Sequence, residues 1–338
     1  MAHVLVTGAT GFIGGHLIRV LVELGHQVRC LVRKSSRVES LRELRLECVE
    51  ADLRDSAALE RAVHGVECVF HLAALTSAFR RSTLMEVNGQ GCAHVARACA
   101  AQPQPPVLVV VSSVAAAGPA KRGQVKTEQD LPNPLSNYGR SKRAGELAAG
   151  QFAARVPTTI VRPGIVFGAG GREMLPMFRA VHRLRVHAVA GLQSPPLSVI
   201  HVSDLVELLV RAAERGQRVV AADHNGVRGT GCYFACRDEY PDYFEFGRLL
   251  HQALGNPRTS YLHFPEPFPW LAGGIGELLG RLRGRPFSLN IDKIREAVAP
   301  SWACSCAAAR RDLGFAPRQT LLEQLRQTAV WYREHGWL

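Results

Sequence analysis

Thr7-Gly8-Ala9-Thr10-Gly11-Phe12-Ile13-Gly14 joins an apolar run, His3–Thr7, to a stretch of helical periodicity, Phe12–Leu24, that ends at Gly25. At such a junction a glycine is needed wherever a side chain would block the turn or the approach of a phosphate. The unpaired N–H groups and the dipole of the following helix then point at that phosphate. Gly8, Thr10, Gly11, Phe12, Ile13 and Gly14 are therefore predicted to hold the pyrophosphate of a dinucleotide.

Outward from this loop, short apolar segments alternate with helical ones: Val28–Val32, Leu46–Glu50, Val66–Leu72, Val107–Ser112 and Thr158–Arg162. They are apolar almost throughout, as strands are when helices cover both faces of a parallel sheet. The predicted class is α/β, a doubly wound parallel sheet over residues 1–168 that also receives elements from about 196–236. Pro176, Pro195, Pro196, Pro241, Pro257, Pro265, Pro267 and Pro269 break the later chain into shorter elements. Residues 169–195 and 237–338 are assigned to a smaller, mostly C-terminal α/β substrate-binding lobe; helices are expected at Ser203–Glu214, behind a serine cap, and at Leu321–Glu334, the last of the chain.

The composition narrows the classes. With 338 residues and 47% hydrophobic content the chain can bury a large core. No apolar run approaches the roughly 18–20 residues of a membrane span, and the start lacks a basic leader region, so a soluble, cytoplasmic protein is expected. The nine cysteines include no CxxC pair; Cys232 and Cys236 are four apart and Cys304 and Cys306 two apart. No metal site is predicted, and the thiols are read as reduced and mostly buried. The net charge of +12 comes from scattered arginines and lysines without a basic run, which argues against nucleic acid and suits an anionic cofactor.

Val32 is followed by Arg33, Lys34, Ser35, Ser36 and Arg37, where an NAD-binding chain normally places a carboxylate for the ribose 2′-hydroxyl. Arg33, Lys34 and Arg37 can instead meet a 2′-phosphate, so NADP(H) is favoured over NAD(H). Asp52-Leu53 stands where a carboxylate can accept from the adenine amino group, although Asp52 equally suits a helix N-cap. Leu72, Ala73 and Ala74 are small enough to let a flat cofactor lie against the backbone.

Tyr138-Gly139-Arg140-Ser141-Lys142 places a phenol and an ammonium one helical turn apart, on one face. A free phenol titrates near 10. A cation about 4 Å away at an effective dielectric of ~20 contributes roughly 4 kcal/mol, some three pKa units, and would bring Tyr138 into range for exchanging a proton with an alcohol or ketone.

The glycine loop, Asp52-Leu53, His71-Leu72-Ala73-Ala74, Ser113 and the Tyr138–Lys142 segment occur in an order that resembles the extended short-chain dehydrogenase/reductase family, as does the closing Leu313-Gly314-Phe315-Ala316-Pro317. The resemblance implies a Rossmann-type domain and a catalytic set of Ser113, Tyr138 and Lys142, with Ser112 as rival to Ser113. It also implies cofactor contacts from Tyr138, Lys142, Pro163 and Ile165. Val114 and Ala115 stand where the family's dehydratases carry an acid and a base, and Ile165 where its epimerases carry a substrate-binding Asn. Leu31-Val32-Arg33, Ser112 to Pro119 and Arg162-Pro163-Gly164 look instead like the 3β-hydroxysteroid dehydrogenase-like and dihydroflavonol-reductase-like branches. The expected function is thus interconversion of a ketone and a secondary alcohol on a bulky, lipophilic small molecule. A sugar-nucleotide epimerase and a non-catalytic cofactor sensor are the alternatives, and a homodimer is left open. Phe264, Phe268, Trp270, Leu271, Ile275, Leu278, Leu279 and Leu282, with Arg281, Arg283 and Arg285, form a segment that covers a lipophilic ligand, touches a membrane surface near 270–285, or packs within the lobe.

Overall fold

The strands run in chain order as β1 (His3–Thr7), β2 (Gln27–Val32), β3 (Glu47–Glu50), β4 (Cys68–His71), β5 (Val107–Val111) and β6 (Thr158–Pro163). After them come β7 (Ile165–Phe167), β8 (Val186–Ala190), β9 (Val199–His201), β10 (Cys232–Ala235) and β11 (Ser260–Phe264). This computed structural model describes residues 1–36, 38, 44, 46–190, 194–220, 226–256, 260–265, 267–284 and 290–338.

Seven strands form one parallel sheet in the order β10-β6-β5-β4-β1-β2-β3, while β7–β9 and β8–β11 are separate parallel pairs. The chain winds outward in both directions from the β1–β4 neighbours. At such a switch point the connections leave toward opposite faces and open a crevice beyond the strands' carboxyl ends. The glycine loop after β1 and the Leu72–Ala74 segment after β4 flank that crevice.

On one face of the sheet, Leu17, Ile18 and Leu21 of helix Phe12–Glu23 pack with Leu205 and Leu209 of helix Val202–Arg215. On the other, Leu59 and Val63 of helix Ser56–Val63 meet Val95 and Cys99 of helix Gly91–Ala100. A third cluster joins Phe178, Phe246, Leu250, Leu325 and Tyr332 from helices Leu175–Arg179, Tyr243–Leu254 and Leu321–Glu334.

The expected strands are present, with ends shifted by one or two residues, and Leu321–Glu334 agrees in full. The helix near Ser203 starts differently: His201 is its N-cap, and its ring Nδ1 accepts from the Ser203 N–H at 3.3 Å. Met85–Gln90, a wider π-turn with no distinct periodicity in the sequence, precedes the helix Gly91–Ala100.

Helix Asn137–Gly150 is tied to the sheet by a buried ionic cluster. Arg162 of β6 grips Glu146 through two bonds of 2.8 Å, and both side chains are fully buried. Ser112 donates to the same carboxylate at 2.6 Å and Arg143 at 2.8 Å. Burial alone would raise the Glu146 carboxyl; the Arg162 charge and hydrogen bonds, then Arg143 and Ser112, hold it below the usual range. Arg162→Met would leave this carboxylate buried without its two-point partner. Denaturant unfolding should show a loss of about 3–5 kcal/mol; a loss under about 1 kcal/mol would remove the pair from the core's supports.

Candidate active site

The glycine loop fits a pyrophosphate. A Cβ on Gly14 would lie 2.3 Å from the Gly8 carbonyl oxygen, and one on Gly8 would lie 2.7 Å from the Ala73 nitrogen. Gly8 also sits at φ +74°, a conformation that side chains disfavour. Gly11 is the N-cap of helix Phe12–Glu23 and offers no side-chain cap, so the helix's first N–H groups remain available to an anion. Thr10, Phe12 and Ile13 lie in the same turn.

Arg33 and Lys34 are exposed in the turn after β2, where the Arg33 N–H donates to Ser36 Oγ at 3.0 Å. Arg37 lies outside the described residues. Asp52 does not cap the next helix; Asp55 does, accepting from the Ala58 N–H. The Asp52 carboxyl is instead held low by hydrogen bonds from Arg54, at 2.7 Å from Nε, with a smaller contribution from the Arg33 charge. Arg54, which also reaches Glu86 at 3.3 Å, adds a cation to this end of the crevice that no motif had flagged. Leu53 offers its carbonyl to His94. Ala73 N–H donates to Thr7 Oγ1 at 3.2 Å, so Leu72, Ala73 and Ala74 run beside the glycine loop. Pro163 ends β6, and the Ile165 N–H bonds to Ser198 O at 2.8 Å.

Ser113 and Tyr138 come together. Gly139 lets this happen: a Cβ there would lie 2.3 Å from the Ala115 carbonyl oxygen, so no larger residue would allow the two helix starts to approach. Ser113 Oγ caps helix Val114–Ala117 by accepting from the Ala115 N–H at 3.1 Å, and its hydroxyl is near enough to favour the ionised Tyr138 phenol slightly. Ser112, the alternative to Ser113, donates to the Glu146 carboxylate at 2.6 Å.

Lys142 departs from expectation. Its Nζ donates to the Val111 carbonyl at 2.6 Å, and the cation that favours the ionised phenol is Lys293, whose Nζ lies 5.6 Å from the Tyr138 ring centroid. Burial dominates and pushes the Tyr138 phenol up to about 12 rather than down. The i,i+4 estimate fails because the ammonium turns toward the sheet. Burial lowers the Lys142 ammonium in turn, and the neighbouring His71, buried and hydrogen-bonded to Thr7 Oγ1 at 2.8 Å, is depressed to about 3 and stays neutral.

Several site residues escaped the sequence reading. Asn88 clamps the chain after β4 through both its amide groups, at 2.8 Å each to Leu75 N and O, and donates to Ser141 Oγ at 2.8 Å. Asp292 accepts from the N–H groups of Asn137 at 2.9 Å and Tyr138 at 3.1 Å, and Ser136 Oγ donates to Glu296 at 2.6 Å. A cleft of about 270 Å³ opens over Tyr138, with Phe79 and Leu84 on one side and Glu277, Lys293 and Glu296 on the other.

Fold and site define an α/β enzyme built around a dinucleotide crevice. The chain belongs to the NAD dependent epimerase/dehydratase family, matched over residues 4–225, and within it to the extended short-chain dehydrogenases/reductases. It is 33% identical over 338 residues to a ceramide reductase of Caulobacter vibrioides, covering 99% of this chain and 96% of that one. It is 27% identical over 350 residues to a 3 beta-hydroxysteroid dehydrogenase/Delta 5→4-isomerase of Mycobacterium tuberculosis, covering 98% and 90%. The solved structure of MoeE5 in complex with UDP-glucose and NAD superimposes with a TM-score of 0.73 at 26% identity, covering 98% and 99%.

If the glycine loop is the pyrophosphate cradle, Gly14→Ala must displace it. The dissociation constant for the reduced dinucleotide, followed by its fluorescence, should rise about tenfold or more. Binding unchanged within twofold would exclude the loop from the cofactor site.

Proposed function

We propose that this protein is an NADP(H)-dependent oxidoreductase that reduces a ketone to a secondary alcohol on a bulky, lipophilic substrate. The observation that carries this reading is the Tyr138 phenol in the wall of a cleft that also takes in Thr76–Phe79, the segment that follows β4 and the Leu72–Ala74 run beside the glycine loop. The bound nicotinamide would supply the hydride. The chain's residues supply the rest. Ser113, its oxygen occupied by the Ala115 N–H, has its O–H free to donate toward the substrate oxygen. Tyr138, with a phenol pushed up to about 12, is fully protonated at neutral pH and gives its proton to the oxygen as the C–H bond forms. Its phenolate is then reprotonated from solvent. Lys142 would hold the cofactor ribose, and Arg33, Lys34 and Arg54 would face the 2′-phosphate.

A raised phenol suits reduction better than oxidation, since the proton it must give is already in place. The relative named for ceramide reduction supports a long-chain lipid, and the ketone of a ceramide is the first substrate to test. NADPH oxidation with that ketone should be measurable. Tyr138→Phe should lower kcat/KM by about 100-fold or more, and Arg33→Ala should weaken NADPH binding about tenfold while sparing NADH. Equal affinity for the two cofactors in the unmutated protein would overturn the NADP assignment.

The cleft lies below the roughly 300–1,000 Å³ of common small-molecule sites, so long alkyl chains would extend beyond it. Helix Pro267–Leu282 stands at its edge, and Glu277 lines both. Its buried residues are the small ones, Pro269, Gly273, Gly276 and Gly280, while Phe268, Leu271, Ile275, Leu278 and Leu282 face outward, Leu271 62% and Leu282 76% exposed. The lobe-packing alternative therefore accounts for the small face only. Among the described residues no helix is long and apolar enough to cross a membrane. We assign the outward face to an anionic lipid surface, because Arg281 and Arg283 flank it and the whole chain carries +12. Arg285 lies outside the described residues. The protein should co-sediment with vesicles of phosphatidylcholine and phosphatidylglycerol, and Leu271→Asp with Leu278→Asp should lower the bound fraction roughly tenfold. No vesicle binding, or a dimer dissociated by the same substitutions, would overturn this assignment.

A further inference from the structure

Helix Ile291–Ala297 makes no part of the dinucleotide crevice, yet it meets the start of helix Asn137–Gly150 at four points. The Asp292 carboxylate takes the first two N–H groups, those of Asn137 and Tyr138, at 2.9 and 3.1 Å. Glu296 accepts from the hydroxyl of Ser136, the N-cap, at 2.6 Å. Between these two acids in sequence stands Lys293, bonded to Glu296 at 3.1 Å, with its Nζ 5.6 Å from the centre of the Tyr138 ring.

This arrangement aims a cation. Capping by Asp292 fixes the backbone of Tyr138 relative to helix Ile291–Ala297. The Glu296 bond then restrains the Lys293 side chain, which would otherwise have four free rotors to place in solvent. Asn290 caps the short helix by accepting from the Lys293 N–H at 3.0 Å, so the residue is held at its backbone as well. Burial would lower the Lys293 ammonium, but Glu296, then Glu173, overcome it and raise it, so the cation is charged throughout the working pH range.

We propose that Lys293 is a positioning residue that sets the proton affinity of Tyr138, brought over the phenol by the clamp that Asp292 and Glu296 make on the catalytic helix. The ionisable groups around the phenol fall into four sets. Asp292, Lys293 and Glu296 come from helix Ile291–Ala297, and Glu173 from the segment before helix Leu175–Arg179. Lys142 comes from the tyrosine's own helix, Glu277 from helix Pro267–Leu282, and Arg295 belongs with the first set on helix Ile291–Ala297. Lys142 is turned to the Val111 carbonyl. Lys293 is therefore the cation that offsets part of the burial opposing the phenolate, while Glu173 and Glu296 act against it. A cation about 6 Å away at an effective dielectric near 20 would shift a phenol by roughly two units, and the paired Glu296 cancels about half of that.

The inference rests on Tyr138 as the proton donor, but its test needs no substrate. Fluorotyrosines titrate below tyrosine, within the range proteins tolerate, so 3-fluorotyrosine can be incorporated at all six tyrosines. The Tyr138 fluorine resonance is then assigned by its loss in Tyr138→Phe, and its titration midpoint is read by NMR. Lys293→Met should raise that midpoint by about two pH units, Lys293→Arg should leave it within about 0.3 units, and Glu296→Gln should lower it by about one unit. Glu296→Gln keeps an acceptor for Ser136 and is nearly isosteric, so it decides the matter even where Lys293→Met fails to fold. Midpoints unmoved in the folded variants would reduce Lys293 to a structural contact. With a ketone substrate in hand, the alkaline limb of the reduction profile should move in the same directions. Absence of any ketone turnover would sink the oxidoreductase reading and leave the titration result standing.

Discussion

The bond pair between Glu146 and Arg162 governs the rotation of the helix on which the candidate site is built. Tyr138, Lys142 and Glu146 recur every fourth residue and so lie along one face. Once Arg162 fixes Glu146 at the inner end of that face, Lys142 one turn earlier is aimed at the Val111 carbonyl and Tyr138 another turn earlier at Ser113. The end of β5 reads the same geometry from the other side. Ser112 and Ser113 are adjacent and point opposite ways, as neighbours on an extended chain do. Ser112 joins the anchor, and Ser113 caps helix Val114–Ala117. Arg162 Nη1 finds no partner among the described residues, so the cluster is chosen for its geometry more than for a fully satisfied set of hydrogen bonds.

The electrostatics of Tyr138 are a contest that burial wins. The simple expectation treats Lys142 as a free charge one turn away. In the fold that ammonium is spent on a main-chain carbonyl, and its neighbour His71 is neutral because burial forbids a second cation there. What charge the phenol receives comes from a helix more than 150 residues further along the chain. The result is a phenol that burial keeps protonated, with Lys293 of helix Ile291–Ala297 opposing that burial in part.

The sheet was legible because its signal is local. Apolar runs of four to six residues separated by amphipathic helices define strands and windings without any long-range knowledge, and glycines at a strand–helix junction mark a close approach that the structure places between Gly8, Gly14 and Ala73. The pairing of Ser113 with Tyr138 was an expectation that came from the family resemblance. The roles of Asn88, Asp292, Lys293 and Glu296 were not, because each depends on contacts between segments separated by between 13 and 160 residues. Their residue types are common on helix surfaces, where a charge is ordinarily solvated. The failed serine cap has a similar cause. His201 accepts the Ser203 N–H, so the cap lies two residues before the one that a sequence rule favouring Ser, Thr, Asp and Asn selects.

Helix Pro267–Leu282 shows how packing duty and surface chemistry are divided within one element. Gly273 approaches Ile294 so closely that a Cβ would lie 2.8 Å from its side chain, so the small face sets the seat of helix Ile291–Ala297 and, through Asp292, of helix Asn137–Gly150. A side chain introduced on that face would act on Tyr138 at a distance by unseating Asp292 and Lys293 together. The large apolar residues opposite, Leu271, Ile275, Leu278 and Leu282, are exposed among the described residues. Replacing them changes what the helix can rest on without moving the groups around the phenol, and for that reason surface binding and proton chemistry can be separated in this fold.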